Sequence, residues 1–231
     1  TTLFRSQVDP FGGKRAKRME RSRSDILREV MDSLKNTDYP AEVIVIDNGG
    51  NPDDSDYLLE LTRKGIINTY VRNKQNMFFG WAWNQGAKLA GGDYLCFTCN
   101  DIKFKPKWLS TTIEPLLKYP DRKYLATPLI TPDKDLEKYS RGFLDGYRLN
   151  SLAGSSCMVI SKENYYRIGE MTTHMAAGTF WSRRMVHLGY TVVAPSTNYA
   201  EHLAHKGGLD FFHKAEVEKK LINGEIIDYT H

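Results

Sequence analysis

The sequence has few cysteines, no long apolar run and little charge imbalance, and each of these absences excludes a class of protein. Its three cysteines, Cys96, Cys99 and Cys157, are an odd and sparse set among 231 residues. Such a set argues against a disulfide scaffold and fits a reducing compartment. No apolar run approaches the roughly 18 residues of a membrane span, and no N-terminal stretch pairs basic residues with an apolar segment. We therefore expect a cytoplasmic protein with no membrane span and no signal peptide.

Phosphate-binding signatures are also missing. The sequence contains neither a P-loop nor a G-x-G-x-x-G turn, so kinase, ATPase and dehydrogenase activities lack support.

Cys96 and Cys99 form a C-x-x-C pair, but their odd offset on a strand points them to opposite faces. No second Cys/His pair at zinc spacing follows, so we do not expect a zinc site.

The formal net charge of +4 is modest, and most of the excess is local. A basic segment near the N-terminus contains Lys14, Arg15, Lys17, Arg18, Arg21 and Arg23. Such a run is commonly a solvated loop. It is also suited to hold the phosphates of a nucleotide or a nucleic acid, or an anionic glycan.

The first half of the chain alternates predicted strands and helices. Strands are expected at 2–7, 42–47, 66–71 and 93–97, with helices between them that begin near Ser24, Ser55, Gly80 and Pro106. Segment 42–47, Glu-Val-Ile-Val-Ile-Asp, is nearly continuous in β-branched residues, as in a parallel strand buried on both faces. This alternation predicts a mostly parallel sheet flanked by helices, an α/β fold.

After Tyr124 the pattern changes to shorter, mixed strands and two helices. We interpret residues 1–231 as one domain with two halves. Residues 1–123 would form a ligand-binding half, and residues 124–231 would cover one edge of the sheet and build a second binding face. In open α/β sheets, ligands bind beyond the carboxyl ends of the strands.

Polar residues stand at those strand ends, among them Asp47 and Asp101. A carboxylate there can bind a base or ribose, or a cation that neutralises a diphosphate. The alternative is that each aspartate only caps the following turn.

Several segments together resemble the GT-A-fold glycosyltransferases, in particular the large inverting family two of rhamnosyl- and glucosyltransferases. The resemblance runs through residues 39–49, 72–86, 90–101, 106–109, 154–161, 167–169, 187–190 and 201–208. It implies a single GT-A-like domain with a mostly parallel nucleotide-binding sheet and a mixed acceptor-side half. Residues 1–123 would then bind the nucleotide sugar, and residues 124–231 would bind its acceptor.

The resemblance also implies roles for particular residues. Asp101 matches the last acid of the family's Asp-x-Asp motif and, with the late histidine His205, would hold Mn²⁺ or Mg²⁺. Asp47 matches the residue that reads the nucleotide base. The donor, expected to be a UDP-sugar, would be bound by a set of strand-end and helix residues: Arg5, Ser6, Asp47, Asn48, Asn76, Asn84 and Asn100.

Three departures from the family pattern affect its chemistry. Cys99 replaces the leading acid of Asp-x-Asp, and a thiol is a poor ligand for hard cations. The usual first-strand motif is replaced and followed by the basic segment. No carboxylate stands near Ala177-Gly178, where the family has its catalytic Glu-Asp pair.

An inverting transferase needs a base to deprotonate the acceptor hydroxyl. The candidate catalytic residues are His174, Asp145 and Glu170, with Glu201 also near in sequence. His174 titrates near neutral pH by its residue type. Trp181 is a candidate for stacking on an acceptor sugar, and Glu201 for binding the acceptor. A retaining mechanism, with the leaving-group phosphate as base, stays open.

The sequence therefore predicts a metal-dependent glycosyltransferase that moves a sugar from a nucleotide-sugar donor to a hydroxyl of a glycan or glycoprotein. One alternative is a DNA-modifying glycosyltransferase that acts on a hydroxymethylated base and grips DNA through the basic segment. Another is a non-catalytic relative that binds a nucleotide or nucleic acid. A nucleotidyltransferase is a more distant alternative.

Overall fold

A nine-stranded sheet is the framework of the fold. The structure, a computed structural model, describes residues 2–4, 22–131, 140–150, 156–172 and 177–203. The strands within these residues are β1 (Thr2–Phe4), β2 (Glu42–Asp47), β3 (Thr69–Arg72), β4 (Tyr94–Thr98), β5 (Ile102–Phe104), β6 (Tyr124–Ala126), β7 (Leu129–Thr131), β8 (Ser140–Leu144), β9 (Tyr147–Asn150), β10 (Cys157–Ser161), β11 (Thr191–Ala194) and β12 (Asn198–His202). The helices are α1 (Arg23–Ser33), α2 (Pro52–Arg63), α3 (Phe78–Leu89), α4 (Trp108–Lys118), α5 (Lys162–Ile168) and α6 (Ala177–His187), and a 3₁₀ turn covers Leu34–Asn36.

The large sheet has the strand order β3-β2-β1-β4-β10-β6-β11-β9-β8. Strands β1 to β4 are parallel, as the sequence predicts, whereas β10 is antiparallel to both β4 and β6. A second, three-stranded sheet has the order β5-β12-β7. The predicted α/β architecture, with a mostly parallel half and a mixed half, is confirmed.

Successive side chains of a strand point to opposite faces of the sheet, where they pack into separate cores. Ile44 and Ile46 of β2 pack with α3, α5 and α6 on one face. Val45, between them, packs with α1 and α2 on the other face, and α4 covers the same face further along the sheet. Strands buried on both faces need continuous apolar sequence, which explains the run in β2.

Helix starts differ from the sequence prediction by two or three residues. The predicted N-cap Ser24 lies inside α1; Ser22 is the cap, and its hydroxyl accepts a bond from an amide three residues on at 3.1 Å. Helix α2 begins at Pro52, three residues before the predicted start. Pro106 precedes α4, which begins at Trp108. At α2 the cap is Asn51, whose side chain accepts a hydrogen bond from the amide of Asp54 at 2.9 Å.

None of the helices in the described ranges is long and apolar enough to cross a membrane.

Candidate functional site

Asp101 stands in the turn between β4 and β5, beyond the carboxyl end of a central parallel strand. Its side chain is 22% exposed, and Oδ2 lies 3.0 Å from Nε2 of His202. The second oxygen, Oδ1, is buried and has no hydrogen-bond partner in the part of the chain that the structure describes. A buried acceptor without a donor costs roughly 1–3 kcal/mol, because it has lost its water. A cation bound at Oδ1 would remove that cost.

Strand β12 brings His202 to Asp101. It pairs antiparallel with β5, with His202 opposite Ile102. The amide of Leu203 donates to the carbonyl of Asp101 at 2.8 Å, which fixes the two chain segments against each other. The sequence favours His205 as the second metal ligand; His205 lies outside the described residues. The odd spacing of the two histidines indicates that only one faces the site in an extended segment, and the strand register places His202 beside Asp101.

Cys99 and Asn100 lead into this turn. The amide of Cys99 donates to the carbonyl of Ser156 at 2.8 Å, which ties the end of β4 to the start of β10. Burial raises the pKa of the Cys99 thiol well above its usual value, and nearby Asp101 adds to the effect. The side chain is therefore a neutral thiol, which a hard cation binds poorly. Asn100 is half-buried beside Asp101.

Asp101 and His202 together fit a divalent cation that is shared with a substrate. The described ranges contain no group of three or more His, Cys, Asp or Glu side chains able to hold a metal ion. Mg²⁺ is commonly bound by one or two carboxylates together with substrate phosphates, and imidazole and carboxylate both suit first-row divalent metals. One carboxylate and one imidazole thus fit a cation whose remaining ligands are diphosphate oxygens and water.

Asp47 ends β2 and is buried, with 2% of its surface exposed. Its Oδ1 accepts a hydrogen bond from the amide of Gly50 at 2.7 Å. Its Oδ2 accepts from the hydroxyls of Ser55 at 2.5 Å and Tyr70 at 2.7 Å, and Nε of Arg72 lies 3.8 Å away. Burial, followed by the bond to Asp47, raises the pKa of Tyr70 to about 12. The carboxylate thus organises the turn and positions Arg72, whose side chain is 48% exposed.

A cluster of amides joins the end of β2 to the loop before α3. Asn48, also buried, donates from Nδ2 to Oδ1 of Asn76 at 2.9 Å. Its own Oδ1 accepts from Nδ2 of Asn73 at 3.1 Å and from the amide of Met77 at 3.0 Å. Asn48 and Asn76, two of the predicted donor-binding residues, therefore lie in direct contact and shape the same edge of the sheet.

Backbone strain marks the same loop. Gly49 has φ +82°, and a Cβ there would lie 3.1 Å from the carbonyl carbon of Gln75, so the turn requires glycine. Phe78 at the start of α3 has φ 62°, which costs a residue with a Cβ about 1–2 kcal/mol. The bond from its amide to Asn76 Oδ1, at 2.9 Å, helps to hold this conformation. Such strained residues concentrate at ligand sites.

Asn84 links α3 to the segment that follows α5. It is 5% exposed, and its Oδ1 accepts from the hydroxyl of Tyr165 at 2.6 Å and from the amide of Met171 at 2.9 Å. Its Nδ2 donates to the carbonyl of Met171 at 2.9 Å. The sequence predicts that Asn84 faces the donor; the structure directs its amide to the chain segment at Met171.

Trp181, predicted to stack on an acceptor sugar, lies in the core of the protein. It is 1% exposed, its Nε1 donates to the carbonyl of Gly169 at 2.8 Å, and its ring packs against Tyr165. A buried ring offers no face on which a sugar could stack, so the geometry gives Trp181 a packing role. Glu201 is exposed on β12, next to His202.

Two of the described candidate bases, Asp145 and Glu170, are engaged in ion pairs. Asp145, in the exposed turn between β8 and β9, is bonded to Tyr119 and, at 3.0 Å, to Lys118. The bond from Tyr119, followed by that from Lys118, lowers the pKa of Asp145, which weakens it as a base. Glu170 lies 3.0 Å from Nζ of Lys88, with 41% of its side chain exposed. His174 lies outside the described residues.

Other predicted residues also fall outside those ranges: Arg5, Ser6, Lys14, Arg15, Lys17, Arg18 and Arg21. Of the basic segment, the structure describes Arg23, the first residue of α1.

Comparison with known families and proteins gives consistent matches. The model of the Glycosyl transferase family 2 matches residues 20–188. Putative polypeptide N-acetylgalactosaminyltransferase 13 of Drosophila melanogaster is 28% identical over 134 residues, which is 52% of this chain and 23% of that protein. Hyaluronan synthase of Pasteurella multocida is 35% identical over 111 residues, 45% of this chain and 11% of that protein. The chain thus spans less than a quarter of either relative.

Two solved structures share the fold. The crystal structure of GalNAc-T7 with UDP, GalNAc and Mn²⁺ superposes with a TM-score of 0.65 at 14% identity, over 87% of this chain and 43% of that one. The mannosyltransferase PcManGT from Pyrobaculum calidifontis, in complex with GDP-Man and Mn²⁺, gives a TM-score of 0.66 at 14% identity, over 94% of this chain and 60% of that one. Both likenesses are to glycosyltransferases and concern the fold.

Proposed function

The chain belongs to glycosyl transferase family 2, and we propose that it transfers a sugar from a nucleotide-sugar donor to a hydroxyl group of a glycan. The observation that carries the proposal is the Asp101–His202 pair beyond the end of β4, with a buried carboxylate oxygen that lacks a donor within the described residues. In α/β sheets, this edge is where ligands bind.

Asp101 and His202 would hold Mn²⁺ or Mg²⁺ in this proposal. The cation would stabilise the negative charge that develops on the diphosphate when the glycosidic bond breaks. Because the protein offers only these two ligands among the described residues, we propose that the cation binds firmly only together with the nucleotide. The Mn²⁺ present beside nucleotide or nucleotide sugar in the two similar structures supports this choice of metal.

The remaining residues of the edge would shape the donor site. Asp47 fixes the turn after β2, and Asn48 and Asn76 hold the loop before α3 against it. We propose UDP as the nucleotide, which rests on the family resemblance and on the UDP of the GalNAc-T7 structure. Asn100 precedes Asp101 in the same turn and would border the diphosphate.

We assign the base that deprotonates the acceptor to His174. Histidine is the residue type whose unperturbed imidazole changes charge near neutral pH, which suits a general base. Of the other candidates, Asp145 is held by Lys118 and Glu170 by Lys88, and Glu201 is assigned to binding the acceptor. His174 follows the segment at Met171 that Asn84 holds in place, and it precedes α6 in the chain.

The test measures release of the free nucleotide from a panel of UDP- and GDP-sugars, with and without Mn²⁺. We expect metal-dependent release from one donor by the wild type. Asp101→Asn and His202→Gln should lower that release about a hundredfold or more, as for other groups that stabilise a leaving charge.

Two matched substitutions at exposed positions control for the loss of an acid or an imidazole. Asp121→Asn lies in the turn before β6 and His187→Gln at the end of α6, and neither should change the release. Binding of UDP without release from any donor would contradict the transferase and favour the nucleotide-binding alternative. The DNA-acceptor alternative stays a prediction of the sequence, since residues 14–21 lie outside the described ranges.

A further inference from the structure

Trp81 is an exposed tryptophan on α3, a helix that buries its other tryptophan. It is 44% exposed, whereas Trp83, two residues further along, is fully buried and stacks on Phe97. The two remaining tryptophans of the chain, Trp108 and Trp181, are also in the core, at most 1% exposed. Within the described ranges, the side chain of Trp81 forms neither a hydrogen bond nor a ring contact. A large flat ring is thus left open to solvent.

Trp81 is the first position of a stripe on α3 that another chain segment covers only in part. Residues 81, 84 and 88 have the spacing of one helix face. At the last position, Nζ of Lys88 lies 3.0 Å from Oε1 of Glu170. At the middle position, Asn84 is bonded to both the amide and the carbonyl of Met171 at 2.9 Å. The segment from Glu170 to Met171 therefore runs along the stripe towards the start of α3, and it leaves Trp81 uncovered.

The start of α3, where Trp81 stands, lies at the edge of the sheet that carries the donor-site residues. The amide of Met77, the residue before the helix, donates to Oδ1 of Asn48 just beyond β2. Gln85, one turn after Trp81, exchanges two hydrogen bonds with Asn73 in the loop after β3, at 3.1 and 3.3 Å. The exposed ring thus stands between the donor-side loop and the segment that α3 holds on its other flank.

The surroundings of this ring favour a sugar over a protein surface. Its neighbours on the helix are the half-buried amide of Gln85 and the ion pair of Lys88 with Glu170, which has no net charge. Leu89, the other exposed large apolar side chain of α3, lies two turns away. A protein interface needs a contiguous apolar centre, which one isolated ring does not supply. A pyranose has an apolar C–H face rimmed by hydroxyls, and it matches one flat ring with a polar border.

We propose that Trp81 is the platform on which the sugar that carries the acceptor hydroxyl stacks. The sugar lies on the indole with a ring face that carries only C–H bonds. An axial oxygen on that face would hold the two rings apart, so Trp81 selects the acceptor as well as binding it. This is the role that the sequence predicts for Trp181. The inference rests on the proposed function, since the acceptor belongs to the same reaction.

The experiment measures quenching of the tryptophan fluorescence of the full chain by acrylamide, with UDP and Mn²⁺ present. Because Trp81 is the exposed one of the four tryptophans, it accounts for most of the quenching. One probe is a β-linked glucose tetrasaccharide, whose rings carry only C–H bonds on their faces, and the other is an α-linked mannose tetrasaccharide, whose rings carry axial oxygens. We expect the glucose probe to lower the quenching constant to that of Trp81→Ala, and the mannose probe to leave it unchanged.

Calorimetric titration with the glucose tetrasaccharide compares variants of the ring. Trp81→Ala should weaken binding about tenfold, and Trp81→Phe, which keeps a flat ring, about threefold or less. The matched controls remove other exposed apolar side chains: Leu89→Ala on the same helix and Phe143→Ala on the β8–β9 hairpin should leave binding unchanged. Thermal melting should show all four variants folded, since none of them removes a buried side chain.

Equal protection of Trp81 by the two probes, protection by neither, or unchanged affinity of Trp81→Ala would each overturn the inference. So would a dimer in sedimentation that Trp81→Ala abolishes, because the ring would then serve a protein interface.

Titration of the wild type with UDP and Mn²⁺ tests the proposed function separately. Binding and metal-dependent release of UDP without protection of Trp81 would count against the platform alone. Protection of Trp81 without binding of UDP would count against the donor site.

Discussion

Replacing Asn84 by alanine separates the two roles that the sequence and the structure give to this residue. If Asn84 binds the donor, Asn84→Ala should lower donor affinity and leave the fold intact. The structure instead joins its amide to Tyr165 and Met171 through three hydrogen bonds in a buried setting. We therefore expect the main loss to be in the free energy of unfolding.

The magnitude follows from the groups left without partners. Asn84→Ala leaves three groups without their hydrogen-bond partner: the hydroxyl of Tyr165 and both the amide and the carbonyl of Met171. Each buried polar group without a partner costs about 1–3 kcal/mol, and relaxation or an entering water recovers part of this. We expect a loss of about 3–5 kcal/mol, a large share of the roughly 5–15 kcal/mol that stabilises a typical domain.

Two other substitutions calibrate this loss. Tyr165→Phe removes one bond but leaves Asn84 Oδ1 bonded to the amide of Met171, so it should cost only about 1 kcal/mol. The double variant Asn84→Ala/Tyr165→Phe has no phenol hydroxyl that lacks a partner. Its loss of unfolding free energy should therefore be smaller than the sum of the two single losses by about 1 kcal/mol. Gln85→Ala, at the next position of the same helix, removes a half-buried side chain bonded to Asn73 and should cost about 1 kcal/mol or less.

The assay is urea unfolding followed by tryptophan fluorescence, with UDP affinity measured on the same samples. A loss below about 1 kcal/mol for Asn84→Ala, or additive effects in the double variant, would refute the hydrogen-bond argument. Loss of UDP affinity in a variant of unchanged stability would restore the donor-binding role.

Three further predictions concern single residues around the site. Gly49→Ala should destabilise the protein by about 1–3 kcal/mol in urea unfolding, because φ is +82° and the new methyl group would lie 3.1 Å from the backbone of Gln75. Equal stability of the variant and the wild type would show that the loop shifts to accommodate the methyl group. Folding raises the pKa of Tyr70 to about 12, so its contribution to stability is fully present below pH 10 and is lost as the pH rises towards 12. Unfolding free energies across that range should therefore fall less steeply in Tyr70→Phe, and an identical slope in the two proteins would count against the raised pKa of Tyr70. Trp181→Phe should lower the free energy of unfolding by about 1–3 kcal/mol, because it removes the bond to Gly169 and part of the packing, and it should leave the KM for the acceptor unchanged. A raised KM in a variant of unchanged stability would indicate that the ring stacks on a sugar.

The hydrophobic pattern was sufficient to predict the parallel half of the sheet. Strand β2 is a run of β-branched residues that ends in Asp47, and β4 ends just before Asp101. Since ligands bind at the carboxyl ends of such strands, the edge that carries the candidate site follows from local sequence alone. The placement of Asp101 there needed no tertiary information.

Helix ends were harder to predict, although part of the signal was present. Asn51 followed by Pro52 combines a favoured cap with proline at the first helical position, and the structure begins α2 there. Local sequence did not decide between Ser22 and Ser24 at α1, because either serine can cap a helix.

Contacts between distant segments decided what the site residues do. His202 reaches Asp101 because β12 and β5 pair in one particular register, which no local pattern encodes. Asn84 and Trp181 have residue types that suit ligand binding, yet both point to the segment at Gly169 and Met171. The sequence by itself determined the α/β framework and the acidic strand ends, since these depend on side-chain period and turn chemistry. Only the tertiary structure decided which polar side chains are already satisfied by the protein and which, like Oδ1 of Asp101, have no partner among the described residues.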